Sequence, residues 1–144
     1  MQTNVAIGVG AVKQLTMQAL GINGNLATWK DTAVNSGVPI GFPTLTISNR
    51  HPTAQIRSYK AQIKLAVPYL ATLGTTDDGG YVADPKVSYV NLANVELVFS
   101  DKATLANRQD MAKYLKDLFG DAGFLDGLIE SMTLSFDATL EAHA

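Results

Sequence analysis

Cysteine is absent from this 144-residue chain, and histidine occurs only at His51 and His143. The lack of cysteine excludes disulfides, thiolate catalysis and cysteine-ligated zinc. The two histidines are far apart and form no His-x-x-x-His pair, so a catalytic zinc site is not predicted. No Gly-x-Ser-x-Gly segment supplies a serine nucleophile. We therefore expect neither an enzyme nor a protein with a metal or cofactor.

Long apolar runs and complete ligand-binding loops are also missing. No apolar stretch approaches the roughly 18 residues that span a bilayer, and the N-terminus lacks the basic start of an export signal, so a soluble, non-exported protein is expected. Gly8-Val9-Gly10 lacks the third glycine of a dinucleotide-binding loop. Asp77-Asp78-Gly79-Gly80 lacks the spaced ligands of a calcium loop, and a turn is the simpler interpretation.

Acidic residues are missing from the middle of the chain. Residues 32–76 contain no Asp or Glu but four cations, whereas from residue 101 onward eight carboxylates face four cations. The net charge of −2 argues against a protein that is basic all over. This asymmetry suggests two faces with different partners, and an ordinary solvated charge pattern is the alternative.

Strict alternation predicts two antiparallel strands within residues 44–67. Apolar residues occupy every second position, namely Leu45, Ile47, Ala61, Ile63 and Leu65. The positions between them carry hydroxyl, amide and cationic side chains, namely Thr46, Ser48, Arg50, Lys60, Gln62 and Lys64. A period of two is typical of half-buried strands, so the sheet has an apolar face and a polar face that must meet water or a polar partner.

The remaining elements predict an α+β domain that covers residues 1–144. Residues 5–9 and 12–20 form an N-terminal hairpin within residues 1–20, residues 21–25 are a turn, and strands continue through residues 26–99. Trp29 is expected in the core. From Thr104, a plausible N-cap, helical spacing predicts two helices within residues 104–132. Because two short helices cannot cover six strands, we expect self-association that extends the sheet.

The polar face is the candidate site. Arg50, Lys60 and Lys64 can contact phosphates, while the hydroxyl and amide side chains Thr46, Ser48 and Gln62 can hydrogen-bond to exposed bases. Solvated side chains that serve only solubility are the alternative.

Five segments in this order resemble the coat proteins of the small single-stranded RNA bacteriophages, the levivirus type. They are residues 26–29 (LATW), 45–50 (LTISNR), 53–60 (TAQIRSYK), 95–99 (VELVF) and 103–108 (ATLANR). The resemblance implies an N-terminal hairpin, a five-stranded antiparallel sheet and two C-terminal helices that interlock in a homodimer with a ten-stranded sheet.

The resemblance also implies a function. Dimers would assemble into an icosahedral virion shell in the cytoplasm of a bacterial host, with the sheet facing the single-stranded RNA genome and the loop at residues 72–85 at the symmetry axes. The dimer would bind an RNA stem-loop, which represses translation and directs packaging. A dimeric RNA-hairpin-binding regulator that never assembles is the alternative.

By position, the resemblance assigns RNA binding to ten residues. Nine follow the alternation of the strands: Leu26, Thr46, Ser48, Arg50, Lys60, Gln62, Lys64, Asn94 and Glu96. Of these, Thr46, Ser48, Lys60 and Gln62 would line a pocket for an unpaired adenine. The stacking tyrosine of the family aligns with Leu92, and Tyr89 can take its role only if a bulge reverses its parity.

Overall fold

Six strands form one antiparallel sheet in the computed structural model, and they lie in the sheet in the order of the sequence. The structure describes residues 4–8, 14–71, 84–120 and 128–130. The strands are β1 (Asn4–Ile7), β2 (Leu15–Asn23), β3 (Leu26–Lys30), β4 (Thr44–Arg50), β5 (Ser58–Leu70) and β6 (Val87–Ser100). All belong to the first of two compact units, Met1–Asp101 and Lys102–Ala144.

The predicted N-terminal hairpin is confirmed, but it continues directly into the sheet. Ile7 pairs with Leu15, and β2 then pairs with β3 as far as Asn23 opposite Leu26. The predicted turn at residues 21–25 is therefore mostly strand. A bulge between Ala19 and Gly21 lets the strand continue, and the described residues 26–99 hold four strands instead of five.

The core lies on the apolar face of β2 and β3. Leu15, Met17, Ala27 and Trp29 form its buried cluster, and Trp29 is only 4% exposed. Half-buried side chains from neighbouring segments pack against this cluster, namely Ile7, Val34, Leu45, Ile47, Leu65 and Val67. The core position predicted for Trp29 is confirmed, whereas the alternating apolar residues of β4 and β5 are only half-buried in the single chain.

The connection between β3 and β4 contains two short 3-10 segments, Val34–Gly37 and Pro39–Gly41. Asp31, which is 3% exposed, accepts hydrogen bonds from the backbone N–H of Thr16 at 2.8 Å and of Ala33 at 3.0 Å. Asn35 donates from Nδ2 to the carbonyl oxygens of Gly41 at 2.6 Å and Pro68 at 3.5 Å. These bonds tie the connection to β2 and β5.

The second unit contains α1 (Leu105–Gly120). The predicted N-cap is confirmed, because Thr104 Oγ1 accepts the backbone N–H of Asn107 at 3.2 Å. Residues 128–130 are helical, and the rest of the predicted second helix lies outside the described residues, as does most of the loop at residues 72–85. Within the described chain, no helix is long and apolar enough to cross a membrane.

Candidate nucleic-acid interface

The strand register places nine of the ten predicted site residues together on one face of the sheet. Directly opposed residues of antiparallel strands point to the same side. Three adjacent rows run across the strands: Thr28, Thr46, Lys64 and Asn94; then Leu26, Ser48, Gln62 and Glu96; then Arg50, Lys60 and Val98. We call the side of the sheet that carries these rows the polar face.

Every cation in the six described strands lies on the polar face. Arg50, Lys60 and Lys64 were predicted to lie there, and Lys30 joins them because it pairs with Thr44 in the next row. Lys30 was not among the predicted site residues. The signal was present, since Lys30 follows the core residue Trp29 and must therefore point away from the core.

Hydrogen bonds between side chains order the centre of the polar face. Gln62 Nε2 donates to Asn94 Oδ1 at 3.2 Å across β5 and β6. Arg50 Nη2 donates to Ser58 Oγ at 3.4 Å, whereas Arg50 Nε is buried without an acceptor in the described part of the chain. Ser58 therefore orients the Arg50 guanidinium, whose positive charge attracts phosphate.

The polar face also carries an acid. Lys60 Nζ lies 3.2 Å from Glu96 Oε1, and the two side chains are 32% and 44% exposed. Among the residues of the six strands, Glu96 is the only carboxylate. Partly exposed ion pairs contribute only about 0.2–1 kcal/mol, so an RNA phosphate or base can compete for either partner.

Lys64 differs from Lys60, since it is exposed and forms no ion pair with any described residue. It lies beside Thr46 on β4 and Asn94 on β6. Its ammonium group is thus available to a polyanion, with neutral hydrogen-bonding side chains on both sides.

Tyr89 is the one predicted site residue that the structure separates from the others. It pairs with Tyr69 on the opposite face, where the two rings stack with centroids 4.8 Å apart and planes at 18°. The register does shift, but between Tyr69 and Leu70, which is beyond Tyr89 and leaves its parity relative to Leu92 unchanged. Leu92 lies on the polar face and is 78% exposed.

This arrangement suits binding more than catalysis. Neighbouring strands lie about 4.8 Å apart and alternate residues about 7 Å apart, so the three rows span a surface of a few nucleotides. Cations and hydroxyl or amide groups on such a surface can contact phosphates and splayed bases. In the described residues, His, Asp and Glu form no group of three that could hold a metal ion.

Comparisons with known sequences and structures show similarity to one protein family. The model of the levivirus coat protein family matches residues 3–136. No curated protein matches the chain in sequence. The virus-like particle of bacteriophage ESE058 superposes with a TM-score of 0.79 at 22% identity, covering 94% of this chain and 99% of that chain.

Two further structures are similar. The virus-like particle of bacteriophage EMS014 has a TM-score of 0.68 at 30% identity, with 85% of this chain and 78% of that chain covered. An unassembled bacteriophage coat protein, described as an RNA-binding dimer, has a TM-score of 0.59 at 18% identity, with 93% and 97% covered.

Proposed function

This chain belongs to the levivirus coat protein family, and we propose that it is a capsid protein that dimerises, assembles into an icosahedral shell and binds single-stranded genomic RNA on its polar face. The whole chain acts as one coat-protein domain in this role. The role is structural and includes no catalytic step. The protein is a component of the virion, assembled in the cytoplasm of a bacterial host.

One observation carries the RNA-binding part of the proposal, namely that the cations of the six described strands all lie on a single face. Lys30, Arg50, Lys60 and Lys64 share the polar face, whereas the opposite face carries the apolar core. The same rows also carry hydroxyl and amide groups, which can hydrogen-bond to bases. A surface that binds RNA needs both kinds of group.

Two features support dimerisation. No residue of α1 is buried, and its exposed apolar side chains include Leu105, Met111 and Phe119. β6 is 14 residues long and pairs with β5, while its other edge has no neighbouring strand in the described chain. A long free edge can pair with a second copy, and the helices of two copies can bury their apolar stripes together. Because each copy contributes six described strands, such pairing would give a sheet of twelve strands instead of the ten that were expected.

We further propose that the dimer recognises an RNA stem-loop, and that this binding represses translation and selects the genome for packaging. Arg50 and Lys64 contact phosphates in this scheme. Thr46, Ser48 and Gln62 contact an unpaired base, with Leu26, Lys60, Asn94 and Glu96 around them. Tyr89 has no part in it, since it lies on the other face.

Electron microscopy of the purified protein, with and without single-stranded RNA, tests the proposal. We expect closed shells of uniform diameter, formed more efficiently with RNA. A protein that stays dimeric under all conditions and binds a hairpin tightly would instead be a non-assembling regulator. A protein that neither assembles nor binds RNA would contradict both functions.

A further inference from the structure

The ion pair on the polar face offers acceptor oxygens as well as a hydrogen-bond donor. A phosphate group has no donors and could use only the donor of the pair. Lys60 Nζ is a donor, and it lies 3.2 Å from Glu96 Oε1, an acceptor. The second carboxylate oxygen, Oε2, has no partner in the described part of the chain. The pair therefore presents a donor followed by two acceptors, and both side chains are partly open to solvent.

This order of groups matches one base better than the others. The Watson–Crick edge of guanine carries an acceptor, O6, followed by two donors, N1–H and the N2 amino group. Cytosine reads guanine with a donor followed by two acceptors, which is the pattern of Lys60 and Glu96. Uracil would place its O2 acceptor against a carboxylate oxygen, while adenine and cytosine would place their amino group against the Lys60 ammonium.

The surroundings favour a base over a phosphate at this point. Val98 lies directly opposite Lys60 and is 55% exposed, so it offers apolar surface to the face of a base. The charge of Glu96 repels phosphates, whereas Arg50, directly opposite Lys60 on β4, and Lys64, two rows away on β5, attract them. A strand held by those cations would pass over the ion pair and could direct a base towards it.

We propose that Lys60 and Glu96 form a subsite for an unpaired guanine and that Glu96 sets the base preference of the polar face. The subsite rests on the proposed RNA-binding function. The subsite adds a preference among the bases to that function. A carboxylate that only balanced the positive charge of Lys60 would give no such preference.

The test uses the full-length protein and four RNA 12-mers of adenosine in which one central nucleotide is G, A, C or U, with dissociation constants measured by fluorescence anisotropy. We expect the guanine-containing strand to bind about five- to tenfold more tightly, the lower part of the range for a bidentate base contact. A strand with central inosine, which lacks the N2 amino group, should fall between guanine and adenine.

Two variants separate base recognition from charge. Glu96→Gln should remove the preference for guanine and strengthen binding of the other three strands, because it removes a negative charge. Lys64→Ala, the control, should weaken binding of all four strands by the same factor. Equal binding of the four strands by the unaltered protein, or an unchanged preference in Glu96→Gln, would overturn the guanine subsite and leave RNA binding intact. Failure to bind any strand at low salt would overturn the RNA-binding function and the subsite with it.

Discussion

Lys64 contributes to the polar face as a single exposed charge, and its removal has a measurable signature. Lys64→Ala should weaken RNA binding irrespective of sequence and reduce the slope of log K against log salt concentration by about 0.7, the value for one phosphate contact to a single strand. Filter binding at several salt concentrations measures both quantities.

The control for this prediction is Lys113→Ala on α1. Lys113 is also exposed, and it is paired with Asp110 at 3.3 Å. The same loss of charge there should leave the salt slope unchanged. If the two variants change the slope equally, the loss of net charge is responsible and Lys64 does not contact phosphate.

Asp31 stabilises the sheet through its buried carboxylate. Its Oδ2 accepts the backbone N–H of Thr16, at a point where β2 extends past the end of β3. Its Oδ1 accepts the backbone N–H of Ala33. Asp31→Ala leaves these donors without an acceptor and should lower the free energy of unfolding by about 1–3 kcal/mol.

Denaturant unfolding of Asp31→Ala, at a fixed protein concentration because a dimer is expected, measures this loss. Asp31→Asn keeps one acceptor oxygen and should lose less. An Ala variant as stable as the original protein would show that water satisfies both donors.

Single residues also show what the sequence could and could not predict. The polar positions of β4 and β5 were predictable, because alternation with apolar residues fixes which side each one faces. Lys30 could have been found in the same way from Trp29. The burial of Asp31 could not, since an isolated aspartate after a strand is usually solvated, and its partners are 15 residues away or in the following loop.

The connection between β3 and β4 depends on a close contact between two residues. Asn35 has a positive φ of 55° and its Nδ2 bonds to the Gly41 and Pro68 carbonyls. A Cβ at Gly41 would lie 2.7 Å from that Nδ2. Gly41→Ala should therefore break the bond to β5 and destabilise the protein by about 1–3 kcal/mol, as overpacking does.

A double-mutant cycle isolates the contact. Asn35→Gly removes the side chain while keeping a residue that tolerates positive φ. In the double variant the clash is gone, so the combined loss of unfolding free energy should be smaller than the sum of the two single losses. Strictly additive losses would mean that Gly41 is needed for another reason.

At the level of elements, periodicity found each strand but not the way in which they join. Residues 21–23 have the composition of a turn, yet β2 runs through them because the bulge at Leu20 absorbs an extra residue and hydrogen bonding to β3 continues. Tertiary pairing overrides local turn preference here. For the same reason the sequence could not show where β5 and β6 shift register. The shift lies between Tyr69 and Leu70, beyond Tyr89, so Tyr89 stays on the face opposite Leu92.

The apolar stripe of α1 gives a test of self-association. Phe119 is 48% exposed in the single chain, so replacing it should alter the stability of an isolated chain by no more than about 0.5 kcal/mol. If two copies bury this stripe, Phe119→Asp places a charge in the interface and should prevent dimerisation and shell formation. Size-exclusion chromatography with light scattering distinguishes the species.

Gln109→Asp is the matched control, because it adds the same charge to an exposed position on another side of α1. It should assemble normally. Normal assembly of Phe119→Asp would show that α1 does not contribute to the interface. The sequence could predict a need for a partner, because its helices and strands present more apolar surface than a single chain can bury. The alternation of residues within one chain does not specify how two chains pair.

The charge segregation on the sheet also affects how a whole particle behaves in an electric field. Four cations and one carboxylate give the polar face a formal charge of +3, so the rest of a chain with net charge −2 carries −5. If shells form with the polar face inside, as proposed, charges more than a Debye length of about 10 Å inside are screened from the surrounding electrolyte. Filled and empty particles should therefore both migrate towards the anode, with nearly the same electrophoretic mobility.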